Sequence, residues 1–216
     1  MALNTIQRAG GVLAAVLSAA AAIPHPVAAQ AQTESEAVNE EEQVARISVS
    51  GEGAVLEAAF DPDGQRLAVR YRISNSGDVP LVVFDRGDSH AVLTKRLVAG
   101  DVPAPRVENG ADGLTLSHAA HALPDPAPTV PPMPLATKLG PGERLDAGFE
   151  LDLSLFSDAA RVRWCLGVMP FDEAVLRPAT SAGDVAVWSA SFGVVERQQL
   201  LCTPWFDVAA GVFEGG

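Results

Sequence analysis

Two histidines, His118 and His121, have a type and spacing that could hold a metal ion. Imidazole nitrogens bind copper and zinc, and two rings three residues apart share a face on a helical turn but diverge on a strand. His90 and Met133 could add a further nitrogen and a soft sulfur ligand. No third ligand lies nearby in the sequence. A metal site at His118 and His121 and a pair of solvated loop histidines both remain open interpretations.

The sequence contains two cysteines, Cys165 and Cys202. An even number of cysteines in an exported protein favours pairing, so we predict a disulfide between them. Closing a loop of this length stabilises a protein by about 4 kcal/mol in the chain-entropy model. The alternative is a reactive thiol at Cys165, with its pKa lowered by Arg161 and Arg163.

Recognisable catalytic motifs are absent. The sequence has no G-x-S-x-G, H-E-x-x-H, Walker or G-x-G-x-x-G motif, so we expect no enzymatic activity and no cofactor. A hydrolase with a dispersed Ser/His/Asp site stays open, because such sites are recognised by geometry. The loops 61–64 and 85–88 each carry two aspartates, which indicates either Asx turns or calcium ligands.

Four arginines occupy the outward faces of two predicted strands. They would form a basic stripe for an anionic partner if the two strands were neighbours, and would otherwise pair with acidic side chains on the solvated face. The arginines are Arg70, Arg72, Arg161 and Arg163, and the acidic side chains are Asp146, Glu150 and Asp152.

Alternating apolar and polar residues predict the elements that must position these groups. Residues 67–74 and 145–153 alternate with period two, which is typical of strands with one buried and one solvated face. Turn residues at 75–78 lead into an apolar strand at 80–84, as a hairpin or a corner between sheets. In the strand predicted at 160–168, Trp164 faces the core and Cys165 the opposite side.

The remaining pattern indicates an all-β protein. About nine strands are expected, with helical turns only at 153–160 and 172–177, and regularly spaced strands favour an antiparallel β-sandwich. Six prolines in residues 123–134 exclude a central strand or helix there and predict a crossover loop between the sheets. The other predicted strands are 46–49, 54–60, 91–98, 113–117 and 185–195.

The N-terminal residues predict export. An apolar run at 11–23, followed by Pro24 and small residues, is typical of a signal peptide, which we assign to residues 1–29. Residues 30–43 contain five glutamates and one large apolar residue, Val38, which predicts a disordered acidic tail. Residues 44–216 then form one β-sandwich domain. We expect a periplasmic or secreted protein without a membrane span after cleavage.

Charge excludes one class of partner. The 216 residues include 15 Lys and Arg against 27 Asp and Glu, a formal net charge of −12. Such a charge repels phosphate, so we expect no binding of nucleic acid.

Two segments carry a resemblance to a known family. Residues 67–84, Leu-Ala-Val-Arg-Tyr-Arg-Ile-Ser-Asn-Ser-Gly-Asp-Val-Pro-Leu-Val-Val-Phe, precede a later Leu-Gly-Pro-Gly-Glu turn at 139–143 and a strand to residue 153. This pattern resembles bacterial immunoglobulin-like domains of the intracellular-proteinase-inhibitor type. The resemblance implies an immunoglobulin-like β-sandwich.

These observations favour an exported, non-enzymatic binding or structural module of the cell envelope, with a protein partner. Its function is expected in loops at one end of the sandwich or on an edge strand. The alternatives are a protease-inhibitor-like binder and an envelope metal-binding protein that uses His118 and His121.

Overall fold

The computed structural model describes residues 44–156, 160–182 and 185–215. The predicted signal peptide (1–29) and acidic tail (30–43) lie outside the described residues. Within them, 52% of residues are in strands and 6% in helices, which confirms the all-β fold. No helix in the described part of the chain is long and apolar enough to cross a membrane.

The described residues contain fourteen strands and three short helices. The helices are α1 (Ser89–Leu93) and two 3-10 helices (Leu153–Leu155 and Phe192–Val194). The strands are β1 (Ala45–Gly51), β2 (Ala54–Asp63), β3 (Arg66–Asn75), β4 (Leu81–Val83), β5 (Arg106–Gly110), β6 (Gly113–His118), β7 (Leu135–Leu139), β8 (Arg144–Asp152), β9 (Arg161–Pro170), β10 (Leu176–Ala182), β11 (Val185–Ala190), β12 (Gln199–Cys202), β13 (Phe206–Asp207) and β14 (Val212–Phe213).

The strands form two sheets. The small sheet is antiparallel, with the order β1-β2-β3-β8, and the large sheet contains the other ten strands. Strand β9 is the centre of the large sheet: β4 and β6 pair with it along one edge, and β12 and β13 along the other. The β6–β9 pairing is parallel, whereas the other strand pairs are antiparallel. This mixed topology makes the fold sandwich-like rather than purely antiparallel.

Period-two side chains from both sheets share one core. Tyr71 of β3, Phe149 of β8 and Trp164 of β9 are buried, and the Trp164 ring centroid lies 4.7 Å from that of Tyr71 and 5.5 Å from that of Phe149. Aromatic pairs at these separations add to the stability that burial alone provides. The predicted core positions of these three residues are therefore confirmed.

Two of the three connections between the sheets, after β3 and after β7, are turns held by side-chain hydrogen bonds. At the end of β3, the Asn75 side chain accepts a hydrogen bond from the Gly77 amide at 3.0 Å and donates to the Val79 and Leu139 carbonyls. The turn after β7 closes when Glu143 accepts a hydrogen bond from the Gly140 amide. The segment 75–78 is thus a corner between sheets rather than a hairpin.

Several elements differ from the expectation. Residues 91–98 form no strand: Asp88 accepts a hydrogen bond from the Ala91 amide at 2.9 Å and caps α1, so the apolar residues that follow enter a helical turn. The strand predicted at 185–195 ends at Ala190. At 172–177, a turn leads directly into β10. At 153–160, the predicted helical turn is present as a 3-10 helix over Leu153–Leu155.

The proline-rich segment 123–134 contains neither strand nor helix, as predicted. It joins β6 to β7, which both belong to the large sheet, so it does not cross between the sheets.

The four outward arginines form no continuous stripe, because β3 and β9 belong to different sheets. Arg72 donates to Asp146 at 2.7 Å, and Arg66, a fifth outward arginine, lies 3.9 Å from Glu150. The predicted pairing with acidic side chains of β8 is confirmed on the small sheet. On the large sheet, Arg163 instead stacks over Trp205, 4.6 Å from the ring centroid.

Candidate functional site

A cavity of about 520 Å³ lies where three segments of the large sheet's loops meet. One wall comes from the loop after β4 and from α1, a second from the end of β6, and a third from the proline-rich segment 123–134. Prolines, alanines, Phe84 and Leu97 supply most of the lining, and Arg96, Arg106, Ser117, His118 and His121 supply polar groups. A mainly apolar cavity of this size with a few converging polar groups is typical of a small-molecule site.

His118 is buried between β9 and the loop after β4. The Trp164 indole N–H donates to its Nδ1 at 3.1 Å, and its Nε2 lies 2.9 Å from the Pro103 carbonyl oxygen. An indole nitrogen only donates and a carbonyl only accepts, so the ring is neutral with its proton on Nε2. Burial lowers the pKa of His118 from 6.5 to about 4, and the nearby charge of Arg86 acts in the same direction.

This buried histidine predicts a loss of stability in mild acid. The unfolded state binds the proton near pH 6.5, whereas the folded state resists it down to about pH 4. The free energy of unfolding should therefore fall by roughly 2 kcal/mol between pH 7 and pH 5. Urea denaturation of the protein and of His118→Gln at both pH values measures the effect.

The His118→Gln variant should be less stable than the unsubstituted protein at pH 7. Its free energy of unfolding should nevertheless change much less between pH 7 and pH 5. His90→Gln, on α1, is the matched control and should keep the dependence of the unsubstituted protein. An equal slope in His118→Gln and in the unsubstituted protein would contradict the assignment.

A second buried network connects the two sheets. The Asp85 carboxylate, which has no exposed surface, accepts hydrogen bonds from the Tyr71 hydroxyl at 2.8 Å and the Thr137 hydroxyl at 3.2 Å. Arg86 Nε lies 3.2 Å from Asp85 Oδ1 and donates to Thr137 Oγ1 at 2.7 Å. Each partner of Asp85 is therefore a donor.

Burial raises the pKa of Asp85, and the Arg86 guanidinium and the two hydroxyl donors oppose this change. Burial, and next the neighbouring Asp85 carboxylate, raise the pKa of Tyr71 far above its ordinary value. Tyr71 therefore stays protonated and donates to Asp85 throughout the neutral range.

The two buried networks hold the same wall of the cavity. Arg86 Nη1 donates to the Gly100 carbonyl at 2.8 Å, and His118 Nε2 donates to the Pro103 carbonyl. Gly87, which also lines the cavity, has a φ of +73°, and a β-carbon there would lie 2.7 Å from Leu97. The segment between Gly87 and Pro103 is thus fixed from the inside of the protein.

The wall formed by the end of β6 is fixed by Gln198. Its side-chain carbonyl accepts a hydrogen bond from the Ala120 amide at 3.0 Å, and its amide donates to the Ala120 carbonyl at 2.7 Å. This clamp holds the backbone next to His121, whose ring is only half-buried.

Ser117 and His121 are in contact on this wall. Ser117 Oγ lies 3.4 Å from His121 Nε2, which is long for a hydrogen bond. Burial and the charge of Arg106 lower the pKa of His121. Within the described residues no carboxylate is hydrogen-bonded to His121, so the orienting third group of a hydrolase triad is not formed there. The pair provides hydrogen-bonding groups to the cavity.

The two histidines predicted as metal ligands line the same cavity but are not equivalent. Both ring nitrogens of His118 are engaged, one by Trp164 and one by Pro103, which leaves no lone pair for a metal ion. No cluster of three His, Cys, Asp or Glu side chains suited to a metal ion occurs among the residues that the structure describes. The geometry therefore gives the metal hypothesis no support beyond the proximity of His118 and His121.

The predicted disulfide between Cys165 and Cys202 is confirmed. The two residues are direct register partners of β9 and β12. Cys165 lies on the face of β9 opposite Trp164, as the alternation predicts, and is nevertheless buried. A reactive thiol at Cys165 is thereby excluded.

The paired aspartates of loop 85–88 have separate structural roles. Asp85 belongs to the buried network, whereas Asp88 accepts the hydrogen bond that begins α1. The two carboxylates of this loop therefore act as a buried acceptor and a helix cap. Neither role is that of a calcium ligand.

A wider concavity of about 830 Å³ lies on the outer face of the small sheet. Its lining includes small residues such as Ser48, Ala59 and Gly148, and Arg72 pairs there with Glu57 and Asp146. It is a shallow surface of a strand face, whereas loops form most of the cavity beside His118. We therefore take the cavity beside His118 as the candidate site.

Sequence reasoning did not assign a role to Tyr71, Asp85, Arg86 or Thr137 in this site. For Tyr71, the sequence did contain an indication. Tyr71 is the only tyrosine, on a face predicted to be buried, and a buried phenol requires a hydrogen-bond partner.

The comparisons with known proteins add no family. No protein-family model matches the chain, and no curated protein or solved structure is similar to it. The immunoglobulin-like resemblance stays a prediction, and the function must be argued from the geometry of the site.

Proposed function

We propose that the protein is an exported, non-enzymatic binding module of the periplasm or cell envelope, and that its ligand occupies the cavity of about 520 Å³ beside His118. The observation that carries the proposal is the anchoring of the cavity walls. His118 holds the backbone of Pro103, which lines the cavity. Arg86 and Gln198 hold Gly100 and Ala120, which lie between lining residues in the chain. A site formed in advance loses less conformational entropy when a ligand binds.

The compartment is supported by the disulfide. Structural disulfides persist in oxidising compartments outside the cytoplasm. The predicted signal peptide at residues 1–29 agrees with this location. The cavity also lies among loops, where β4 and β6 both end beside the middle of β9. Binding residues are commonly found on loops held by a rigid scaffold.

A neutral apolar fluorophore, N-phenyl-1-naphthylamine, tests the cavity without any assumption about ligand charge. We expect saturable binding to the purified protein, with a rise in fluorescence. Ala122→Trp, which places a large ring at the cavity wall, should weaken binding by about tenfold or more because apolar contacts are lost. Fluorescence titration measures both affinities.

Ala127→Trp is the matched control. Ala127 is exposed in the proline-rich segment 123–134, which follows Ala122, and does not line the cavity, so its substitution should leave the affinity unchanged. Absence of saturable binding, or an equal loss of affinity in both variants, would argue against a ligand site here.

A further inference from the structure

The charged residues that line the cavity are mostly positive, whereas the whole chain is negative. The chain has a formal net charge of −12, yet Arg96 and Arg106 both line the cavity, with Asp88 as the acidic lining residue. The Asp88 carboxylate already accepts the hydrogen bond that caps α1. The charged lining residues are thus two arginines and one carboxylate, and Glu108, which does not line the cavity, pairs with Arg106.

The two arginines retain donors for a ligand. Arg96 uses Nε to donate to Thr94 at 3.0 Å, and Arg106 Nε lies 3.2 Å from Glu108. Within the part of the chain that the structure describes, no hydrogen bond uses a terminal guanidinium nitrogen of either arginine. These nitrogens form the fork that binds a carboxylate in a bidentate manner.

Three of the polar lining residues, Arg106, Ser117 and His121, are neighbours. Arg106 and Ser117 are register partners of the β5–β6 hairpin, and Ser117 contacts His121. Arg106 is close enough to His121 for its charge to affect the ring. The apolar lining, including Leu97, Pro103 and Pro132, supplies the rest of the wall.

From this arrangement we infer that the ligand is an amphipathic anion, with a carboxylate bound by Arg106, Ser117 and His121 and an apolar body against Leu97 and the prolines. This inference rests on the proposed function, because it names the class of ligand for the same cavity. Neutral apolar molecules should bind more weakly, since they offer no anionic acceptor to the terminal guanidinium nitrogens of Arg106.

Displacement of N-phenyl-1-naphthylamine from the purified protein tests the charge preference. The competitors are decanoate, decan-1-ol and decylamine, which share an apolar chain and differ in charge. We expect decanoate to displace the probe at a concentration about tenfold lower than decan-1-ol, and decylamine to be the weakest. Naphthalene-1-carboxylate, compared with decanoate, distinguishes a rigid aromatic body from a flexible chain.

Arg106→Gln should remove most of the preference for decanoate over decan-1-ol. Arg66→Gln, on the outer face of the small sheet, makes the same change in net charge and should leave the preference intact. Decanoate should also bind more tightly at pH 6 than at pH 8, because a bound anion favours protonated His121. The other charged groups near this ring are Arg106 and Glu108, and His118 is neutral in this range.

Equal displacement by decanoate and decan-1-ol, or an unchanged preference in Arg106→Gln, would overturn the ligand class. The proposed function would survive that result as long as the neutral probe binds and Ala122→Trp blocks it. Failure of the neutral probe to bind would remove both.

Discussion

Replacing Asp85 with alanine is expected to lower the free energy of unfolding by about 3–5 kcal/mol. The variant leaves Arg86, a residue that is 5% exposed, without its carboxylate partner, and it removes the acceptor of the Tyr71 hydroxyl. An unpaired buried charge and a buried donor without a partner are both costly. Urea denaturation, with the slope checked for constancy, measures the change.

Asp146→Ala is the control for the loss of an ion pair at the surface. Asp146 accepts from Arg72 at 2.7 Å, but both side chains are exposed, so its removal should cost less than about 1 kcal/mol. If Asp85→Ala does not fold, Asp85→Asn provides the measurement, because it keeps an acceptor for Tyr71 and removes the charge.

The Asp85 network also predicts a functional effect. Arg86 holds the Gly100 carbonyl, which lies in the segment between the lining residues Leu97 and Pro103, so folded Asp85→Asn should bind N-phenyl-1-naphthylamine more weakly than the unsubstituted protein. A loss of stability below about 1 kcal/mol for Asp85→Ala would show that the buried Asp85 network does not hold the two sheets together.

Removal of the disulfide is expected to lower the free energy of unfolding by a similar amount. The double variant Cys165→Ala/Cys202→Ala should be less stable by about 4 kcal/mol, because the bond restricts the unfolded chain between two residues 37 positions apart. Urea denaturation of the double variant, and of the unsubstituted protein with and without a reductant, measures the effect.

The double variant supplies its own control, because a reductant should not change its stability. β12 remains anchored after reduction, since Thr203 exchanges hydrogen bonds with the Trp164 backbone. The reduced protein should therefore fold, with lower stability. Equal stability of the oxidised protein and the double variant would contradict a stabilising role.

The regular strands were predictable because their signal is local. Residues 67–74 and 145–153 alternate with period two, and the structure contains β3 and β8 at these positions. The same alternation placed Trp164 in the core and Cys165 on the opposite face. Such predictions need only the polarity of neighbouring residues, because successive side chains of a strand point to opposite sides.

The short and irregular elements were not predictable in this way. β13 and β14 have two residues each, too few for a periodic pattern. Residues 91–98 were predicted as a strand because of their apolar content, although Asp88 provides a helix N-cap that the sequence already contained.

The sequence by itself determined the all-β class, the buried faces of the main strands and the candidates for the disulfide, since these follow from local polarity and residue type. Only the tertiary structure decided which polar groups meet. The Trp164–His118 bond joins residues 46 positions apart, and the Thr137–Asp85 bond joins residues 52 positions apart. Such contacts depend on the register and direction of pairing of distant strands, including the parallel β6–β9 pair, and a local pattern does not contain that information.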